Sequence, residues 1–180
     1  MSALLRKIKL HLKQGGVIAY PTESCYGLGC DPKNQSAVSL LLKIKKRRKS
    51  RGLILIAGRM RELERYMLNP PKKEVLEKYW PGPYTLLLDA SGHAPKWIRG
   101  NHEKVALRLT AHREASRLCN ALSMALVSTS ANISGTKPAR TYRDCMRRFG
   151  RQVLVIPGKV GKRKNPSTIM DFKSGKIFRL

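Results

Sequence analysis

The order of apolar and polar positions predicts helices and strands that alternate along the chain. Apolar residues recur at helical spacing after Ser2, which can cap the first helix, and this pattern stops at Gly15 and Gly16. A second amphipathic helix is predicted over residues 36–50. Shorter helices are predicted over residues 72–80, 114–121 and 141–149.

Short apolar runs between these helices predict strands. Residues 52–57 are apolar on both faces, so we expect this strand at the centre of a covered sheet. Other strands are predicted over residues 17–20, 84–88, 105–110, 125–130 and 153–157, with a hairpin over residues 167–180. Neither a repeat nor a dividing linker is apparent. The sequence therefore predicts one domain over residues 1–180, of α/β (α+β) class, with a mixed sheet flanked by helices.

The charge of the chain is far from balanced. Its 180 residues include 37 Lys+Arg and 11 Asp+Glu, which gives a formal net charge of +26. Such an excess predicts attraction to polyanions, and tRNA or double-stranded RNA is the obvious partner. A general bias of the source proteome towards basic residues is the alternative explanation.

The cysteines and the hydropathy pattern argue against a secreted or membrane protein. None of the four cysteines forms a C-x-x-C pair or lies at metal-ligand spacing from a histidine, so we expect free thiols in a reducing compartment and no metal site. No run approaches the ~18 apolar residues that a membrane span needs. Cations interrupt the apolar N-terminal positions, which excludes a signal-peptide core. These features predict a soluble cytoplasmic protein.

Hydroxyl-rich loops follow three of the predicted strands. The first contains Thr22 and Ser24, the second Ser128, Ser130 and Asn132, and the third Ser167. Hydroxyls and amides can hold phosphate, ribose or carboxylate oxygens. For each loop alone an ordinary turn is the favoured interpretation, whereas the three together favour a site. The sequence lacks a P-loop, a complete dinucleotide fingerprint and a G-x-S-x-G nucleophile, so a nucleotide site here would be of another kind.

Cations accompany these loops. Lys45, Arg47 and Arg51 precede the central strand and could neutralise a triphosphate. Arg108 interrupts an apolar strand, which is unfavourable without an anionic partner. That partner could be a ligand, or one of the few acidic residues in a structural ion pair.

Six stretches in succession resemble the motifs of the YrdC/TsaC family, the threonylcarbamoyl-AMP synthases. They are AYPTESCYGLG, KIKKRRKSRGLILIA, WPGPYTLLL, VALRLT, LVSTSANISG and NPSTIMD. The resemblance covers nearly the whole chain, whose length is similar to the short bacterial form. It implies a YrdC-like twisted sheet around a large basic cavity. The implied reaction joins L-threonine, bicarbonate and ATP into threonylcarbamoyl-adenylate and pyrophosphate, for the modification of adenosine beside the anticodon of certain tRNAs.

The resemblance also implies roles for individual residues. Lys45 and Arg47, of a Lys-x-Arg element, would act on the ATP phosphates and carry the catalysis. Mg²⁺ would arrive with ATP, and the product would pass to a threonylcarbamoyltransferase complex. The implied ATP site comprises Lys45, Arg47, Arg51, Ser130, Asn132 and Arg179, and the implied threonine site Thr22, Ser24, Arg108, Ser128 and Ser167.

One position departs from the family pattern, and one other function remains open. Arg48 replaces the proline that usually follows the Lys-x-Arg element, which changes the expected turn geometry. The charge alone would also fit a non-catalytic basic RNA-binding protein that acts on tRNA or ribosome maturation. Backbone binding does not need a series of Ser, Asn and Arg at strand ends, so the enzyme interpretation is favoured.

Overall fold

The computed structural model describes residues 2–179. The helices are α1 (Ala3–Lys13), α2 (Gln35–Lys45), α3 (Arg61–Glu64), α4 (Lys73–Leu76), α5 (Lys96–Arg99), α6 (Arg113–Leu122) and α7 (Tyr142–Phe149). The strands are β1 (Ile18–Pro21), β2 (Tyr26–Gly29), β3 (Ile54–Ala57), β4 (Tyr84–Asp89), β5 (Lys104–Leu109), β6 (Leu126–Ser130), β7 (Leu154–Val155), β8 (Thr168–Asp171) and β9 (Ile177–Arg179).

These strands form one mixed nine-stranded sheet in the order β7-β1-β2-β6-β3-β5-β4-β8-β9. The pairs β1–β7, β3–β5 and β4–β8 are parallel, and the other neighbours are antiparallel. The central place of β3 confirms the interpretation of its apolar sequence. The terminal hairpin is also present, as β8 and β9.

A hydrophobic core lies on each face of the sheet. On one face, Leu55, Leu107 and Val127 belong to a core that also takes buried residues from α2 and α7. On the other face, α1 and α6 pack over Ile56 and Leu126. The alternation of side chains along each strand separates these two sets. No helix among residues 2–179 is long and apolar enough to cross a membrane.

Helix α2 ends earlier than the sequence predicts. It stops at Lys45 because Lys46 adopts a left-handed conformation with φ of 50°. The Lys46 amide then donates to the Lys43 carbonyl and the Arg47 amide donates to the Leu42 carbonyl, which satisfies the last turn without a glycine. The early end turns the basic run that follows away from the helix axis.

The segment after β1 is also more regular than predicted. The loop comprises only residues 22–25, closed by the Thr22 amide and hydroxyl, which both donate to the Cys25 carbonyl at 3.0 and 2.7 Å. Tyr26–Gly29 then pairs as β2 between β1 and β6. A side chain at Gly29 would meet the Val127 carbonyl at 2.5 Å, so this glycine permits close strand approach. Glycine-rich composition predicts a loop here, whereas close packing favours a strand.

Asp171 fixes the end of β8. Its Oδ1 accepts from the amides of Lys173 and Ser174, and its carboxylate pairs with Lys104 of β5. The hydrogen bond from Lys104, together with those from Ser174, lowers the pKa of Asp171 to about 2.

This shift predicts a pH-dependent contribution to stability. A carboxyl group whose pKa falls on folding stabilises the fold above its unfolded pKa, and the contribution disappears as the pH falls through the folded value. We therefore expect Asp171→Asn to unfold at a lower temperature than the parent at pH 7, and the difference to shrink between about pH 4 and pH 2. Thermal unfolding across this range measures it. A difference that is constant with pH would contradict the assignment.

Candidate functional site

One face of the sheet forms the floor of a large cavity. The registers of β6, β3, β5, β4 and β8 align Ser128, Ile54, Ala106, Leu87 and Asp171 in a row across these strands. All five residues line the cavity, whose volume is about 1430 Å³. Because side chains on a strand alternate between faces, the neighbours of these residues pack into the opposite core. The cavity is larger than a small-molecule site usually requires, so it can hold more than one substrate.

The cavity is strongly cationic. Among the described residues, nine Lys and Arg line it against four Asp and Glu. This agrees with the expected basic cavity. The cationic lining residues are Arg47, Arg99, Lys104, Arg108, Lys137, Arg140, Arg148, Lys164 and Arg179. No group of three or more His, Cys, Asp or Glu side chains within residues 2–179 is placed to hold a metal ion.

Lys45 organises the loop after β6 rather than lining the cavity. Its side chain is buried at the end of α2, and Nζ donates to the Ser130 carbonyl at 2.5 Å and to the Asn132 carbonyl at 2.9 Å. The Ser130 hydroxyl donates to Asn132 Oδ1 at 2.6 Å. Burial and the nearby Arg47 charge lower the pKa of Lys45 to about 8, so the charged form still predominates at neutral pH. The structure thus joins three of the sequence-predicted ATP residues in one network.

Arg47 does reach the cavity. One terminal nitrogen donates to the Gly52 carbonyl at 2.7 Å, while Nε is buried without a hydrogen-bond partner among residues 2–179. Burial, followed by the Arg51 charge, lowers the pKa of Arg47. The other terminal nitrogen, Nη1, makes none of the described hydrogen bonds, so the guanidinium can donate from it to an anionic ligand. Arg51 itself is exposed and lies outside the lining residues, as does the exposed Arg48.

Ser167 and Arg179 meet at the β8–β9 hairpin. Arg179 donates to the Ser167 carbonyl at 2.9 Å and to its hydroxyl at 3.0 Å. The same hydroxyl lies 2.8 Å from the Thr85 hydroxyl. Residues expected in the threonine and ATP sites are therefore in direct contact. Thr22, Ser24 and Ser128 also line the cavity, at the ends of β1 and β6.

Arg108 has the acidic partner that its buried position requires. It forms an ion pair with Glu23, and its Nε donates to the Gly82 carbonyl at 3.0 Å. The Thr110 hydroxyl donates to Glu23 Oε1 at 2.8 Å. Burial alone would raise the pKa of Glu23, but the Arg108 charge and the Thr110 hydroxyl hold it below its ordinary value. The carboxyl group is accordingly an anion at neutral pH.

Sequence reasoning missed Glu23 as a site residue. The signal was available, since Arg108 needed an anion and Glu23 stands between Thr22 and Ser24 in a hydroxyl-rich loop. The structure also places Lys164 among the cavity residues. Its basic neighbours Lys159 and Lys162 are exposed and outside the main cavity.

Together the sheet, the enclosed cationic cavity and the strand-end hydroxyls define a YrdC-like α/β protein. The family described as "Telomere recombination" (Sua5/YciO/YrdC) matches residues 11–180, and the chain belongs to that family. The resemblance found in the sequence motifs is thereby confirmed.

Relatives and solved structures agree with this assignment. Threonylcarbamoyl-AMP synthase of Thiobacillus denitrificans is 48% identical over 171 residues, which are 94% of this chain and 91% of that protein. The enzyme of the same name from Chromobacterium violaceum is 48% identical over 99% of this chain and 93% of its own length. P. abyssi Sua5 complexed with L-threonine superposes with a TM-score of 0.87 at 28% identity, covering 96% of this chain and 52% of that one.

Proposed function

We propose that the protein is a threonylcarbamoyl-AMP synthase, a nucleotidyltransferase that joins L-threonine, bicarbonate and ATP into threonylcarbamoyl-adenylate and pyrophosphate. The cationic cavity of about 1430 Å³ carries the proposal, because it combines phosphate-binding cations with strand-end hydroxyls in one concave site. Relatives of that name at 48% identity over nearly the full chain support it.

The nucleotide would occupy the side of the cavity near the end of α2 and the loop after β6. Arg47 and Arg179 would contact the phosphates, and Lys45 would hold the Ser130–Asn132 loop in place while adding its charge. Arg51 would take part only if the exposed basic run closes over the nucleotide. Mg²⁺ would be carried by the triphosphate, whose oxygens are the ligands that this ion prefers.

The amino acid would occupy the region between the β1–β2 loop, β5 and the β8–β9 hairpin. Arg108 would bind the threonine carboxylate, and hydroxyls of Thr22, Ser24, Ser128 or Ser167 would hold its other polar groups. The contact between Ser167 and Arg179 supports an amino-acid region next to the proposed phosphate region.

The proposed reaction needs no covalent nucleophile, and the cations and hydroxyls of the cavity suit each of its steps. The unprotonated amine adds to the carbon of bicarbonate and releases water, which gives a carbamate. A carbamate oxygen then attacks the α-phosphate of ATP, and pyrophosphate leaves. An enclosed cavity limits the breakdown of the carbamate and keeps it next to the phosphate. Cations offset the charge that develops on the leaving group.

Pyrophosphate release that requires threonine, bicarbonate and ATP together tests this function. The purified chain should release pyrophosphate only when all three substrates are present, and the adenylate should be detected by mass spectrometry. Release that is independent of threonine would contradict the proposal.

We also propose tRNA as a partner and a threonylcarbamoyltransferase complex as the consumer of the product, in the cytoplasm. Many cations lie outside the cavity and are exposed, which favours contact with an RNA backbone. A non-catalytic basic RNA-binding protein is the alternative, and the pyrophosphate assay separates the two. Four exposed cations outside the main cavity are Lys43, Lys49, Lys159 and Lys162.

RNA binding through these surface cations should depend steeply on salt. If about five phosphates are contacted, the log–log slope of affinity against salt should be roughly −3 to −5. Changing Lys43, Lys49, Lys159 and Lys162 together to Gln should make the slope shallower by about 2–3, because each lost phosphate contact removes less than one unit. Threonine-dependent pyrophosphate release should be largely unchanged.

A charge-matched control is available on α1. Gln at the exposed residues Arg6, Lys7, Lys9 and Lys13 removes the same charge from a helix whose residues do not line the cavity. We expect this control to leave most of the slope intact. Equal effects of the two variants would show that only net charge matters, and lost catalysis in the first would place its residues in the active site.

A further inference from the structure

An anionic side chain stands inside the region proposed for the amino acid. Glu23 lines the cavity between Thr22 and Ser24 and forms an ion pair with Arg108. A purely anion-binding site would gain nothing from a carboxylate here, because Glu23 competes for the guanidinium that a ligand carboxylate would use. The cavity already contains more than twice as many cations as acidic residues.

The contacts of this ion pair leave both partners able to bind a ligand. Both contacts to Glu23 use Oε1, which accepts a hydrogen bond from the Thr110 hydroxyl and forms the ion pair with the Arg108 terminal nitrogen Nη2. Oε2 is involved in neither contact. Arg108 uses Nη2 for Glu23 and Nε for the Gly82 carbonyl, and neither contact involves Nη1. Glu23 Oε2 and Arg108 Nη1 therefore take no part in these contacts.

The charges of the pair match those of an amino acid. A free amino acid at neutral pH carries one ammonium and one carboxylate, whereas phosphate, pyrophosphate and bicarbonate carry only negative charge. A lone arginine in this cavity would attract all of these anions. An arginine paired with a carboxylate disfavours them and favours a zwitterion, since like charges in a poorly hydrated site repel strongly.

We propose that Glu23 and Arg108 form a zwitterion site, in which Glu23 binds the ammonium group of the amino acid and Arg108 its carboxylate. The inference rests on the proposed function and adds to it a residue that determines specificity. Glu23 then keeps the other anionic substrates of the reaction out of the amino-acid position. It also fixes the nitrogen on the Glu23 side of the site, where the ammonium gives one proton to water before the resulting amine attacks bicarbonate.

Binding of two ligands in the absence of ATP tests the proposal. The first is L-threonine, and the second is 2,3-dihydroxybutanoate, in which a hydroxyl replaces the ammonium. Calorimetry should show that Glu23→Gln binds threonine about 10-fold or more weakly, because a charged hydrogen bond is lost. The same variant should bind dihydroxybutanoate as well as the parent or better, because Arg108 no longer shares its charge. Glu64→Gln, an exposed residue of α3 outside the cavity, is the charge-matched control and should change neither affinity.

Opposite responses of the two ligands distinguish recognition from a structural role. If Glu23 only supports Arg108, Glu23→Gln should weaken both ligands equally, which would overturn the proposal. If Glu23→Gln does not fold, Glu23→Asp keeps the charge but withdraws it by one methylene. This variant should bind threonine more weakly than the parent and dihydroxybutanoate with unchanged affinity. An equal loss of affinity for both ligands would again overturn the proposal. If the parent releases pyrophosphate normally but Glu23→Gln changes the two affinities alike, this inference alone is refuted. If the parent does not bind threonine, the proposed function is refuted as well.

Discussion

Replacing Arg47 with Ala should lower kcat/KM for ATP by about 30- to 1000-fold, the equivalent of ~2–4 kcal/mol of transition-state stabilisation. Arg47 lines the cavity, and its terminal nitrogen Nη1 makes none of the described hydrogen bonds. We expect this nitrogen to donate to a phosphate oxygen whose charge increases as pyrophosphate leaves. The melting temperature should change little, because within residues 2–179 the Arg47 side chain donates only to the Gly52 carbonyl.

Lys45→Ala should lower kcat/KM for ATP to a similar extent, but for a different structural reason. Lys45 holds the carbonyls of Ser130 and Asn132, so its loss removes a charged donor from both acceptors and loosens the loop. The melting temperature should therefore fall together with the activity. Lys43→Ala, on the exposed side of α2, is the matched control and should affect neither. Pyrophosphate release and thermal unfolding measure both effects, and near-parental turnover in both site variants would refute the nucleotide assignment.

The sequence predicted the parts of the site that depend on local pattern. Alternation along β5 and β6 is visible in the sequence, so residues such as Arg108 and Ser128 could be assigned to strands that line a site. The Lys45-x-Arg47 spacing is equally local. The directions in which the Lys45 and Arg47 side chains point were not predictable, because Lys46 between them ends α2 in a left-handed conformation. Lys45 consequently points to the loop after β6, and Arg47 lines the cavity.

Partners distant in sequence were the part that could not be predicted. Thr110 and Glu23 are 87 positions apart and meet only because β5 ends beside the β1–β2 loop. The sequence showed that Arg108 needs an anion, but 11 acidic residues could have supplied it. Strand β2 could not be predicted for the same reason. Its glycines favour a loop locally, whereas the close approach of Gly29 to the Val127 carbonyl in the folded sheet favours a strand. Tertiary packing decided both cases.

Valine should be a much poorer substrate than serine, although valine matches threonine in shape. A site that hydrogen-bonds a substrate hydroxyl leaves its own buried polar groups unpaired when the analogue lacks that hydroxyl, and such sites discriminate by about 10⁴-fold. Loss of the methyl group alone, as in serine, lowers kcat/KM by only about 10- to 200-fold. Pyrophosphate release with threonine, serine and valine in turn gives the three values. Equal use of valine and threonine would refute the assigned pocket.

The hydroxyls that line the cavity differ in how free they are to bind the substrate. Ser167 already contacts Thr85 and Arg179, whereas the Ser24 hydroxyl has, in the described part of the chain, only a long contact of 3.9 Å to the Cys25 sulfur. We therefore expect Ser24→Ala to narrow the threonine-to-valine ratio with little loss of stability. Ser167→Ala should instead reduce turnover of threonine and valine together, because it also removes one of the two hydrogen bonds between Ser167 and Arg179. If the threonine-to-valine ratio changes in neither variant, another side chain of the cavity must bind the threonine hydroxyl.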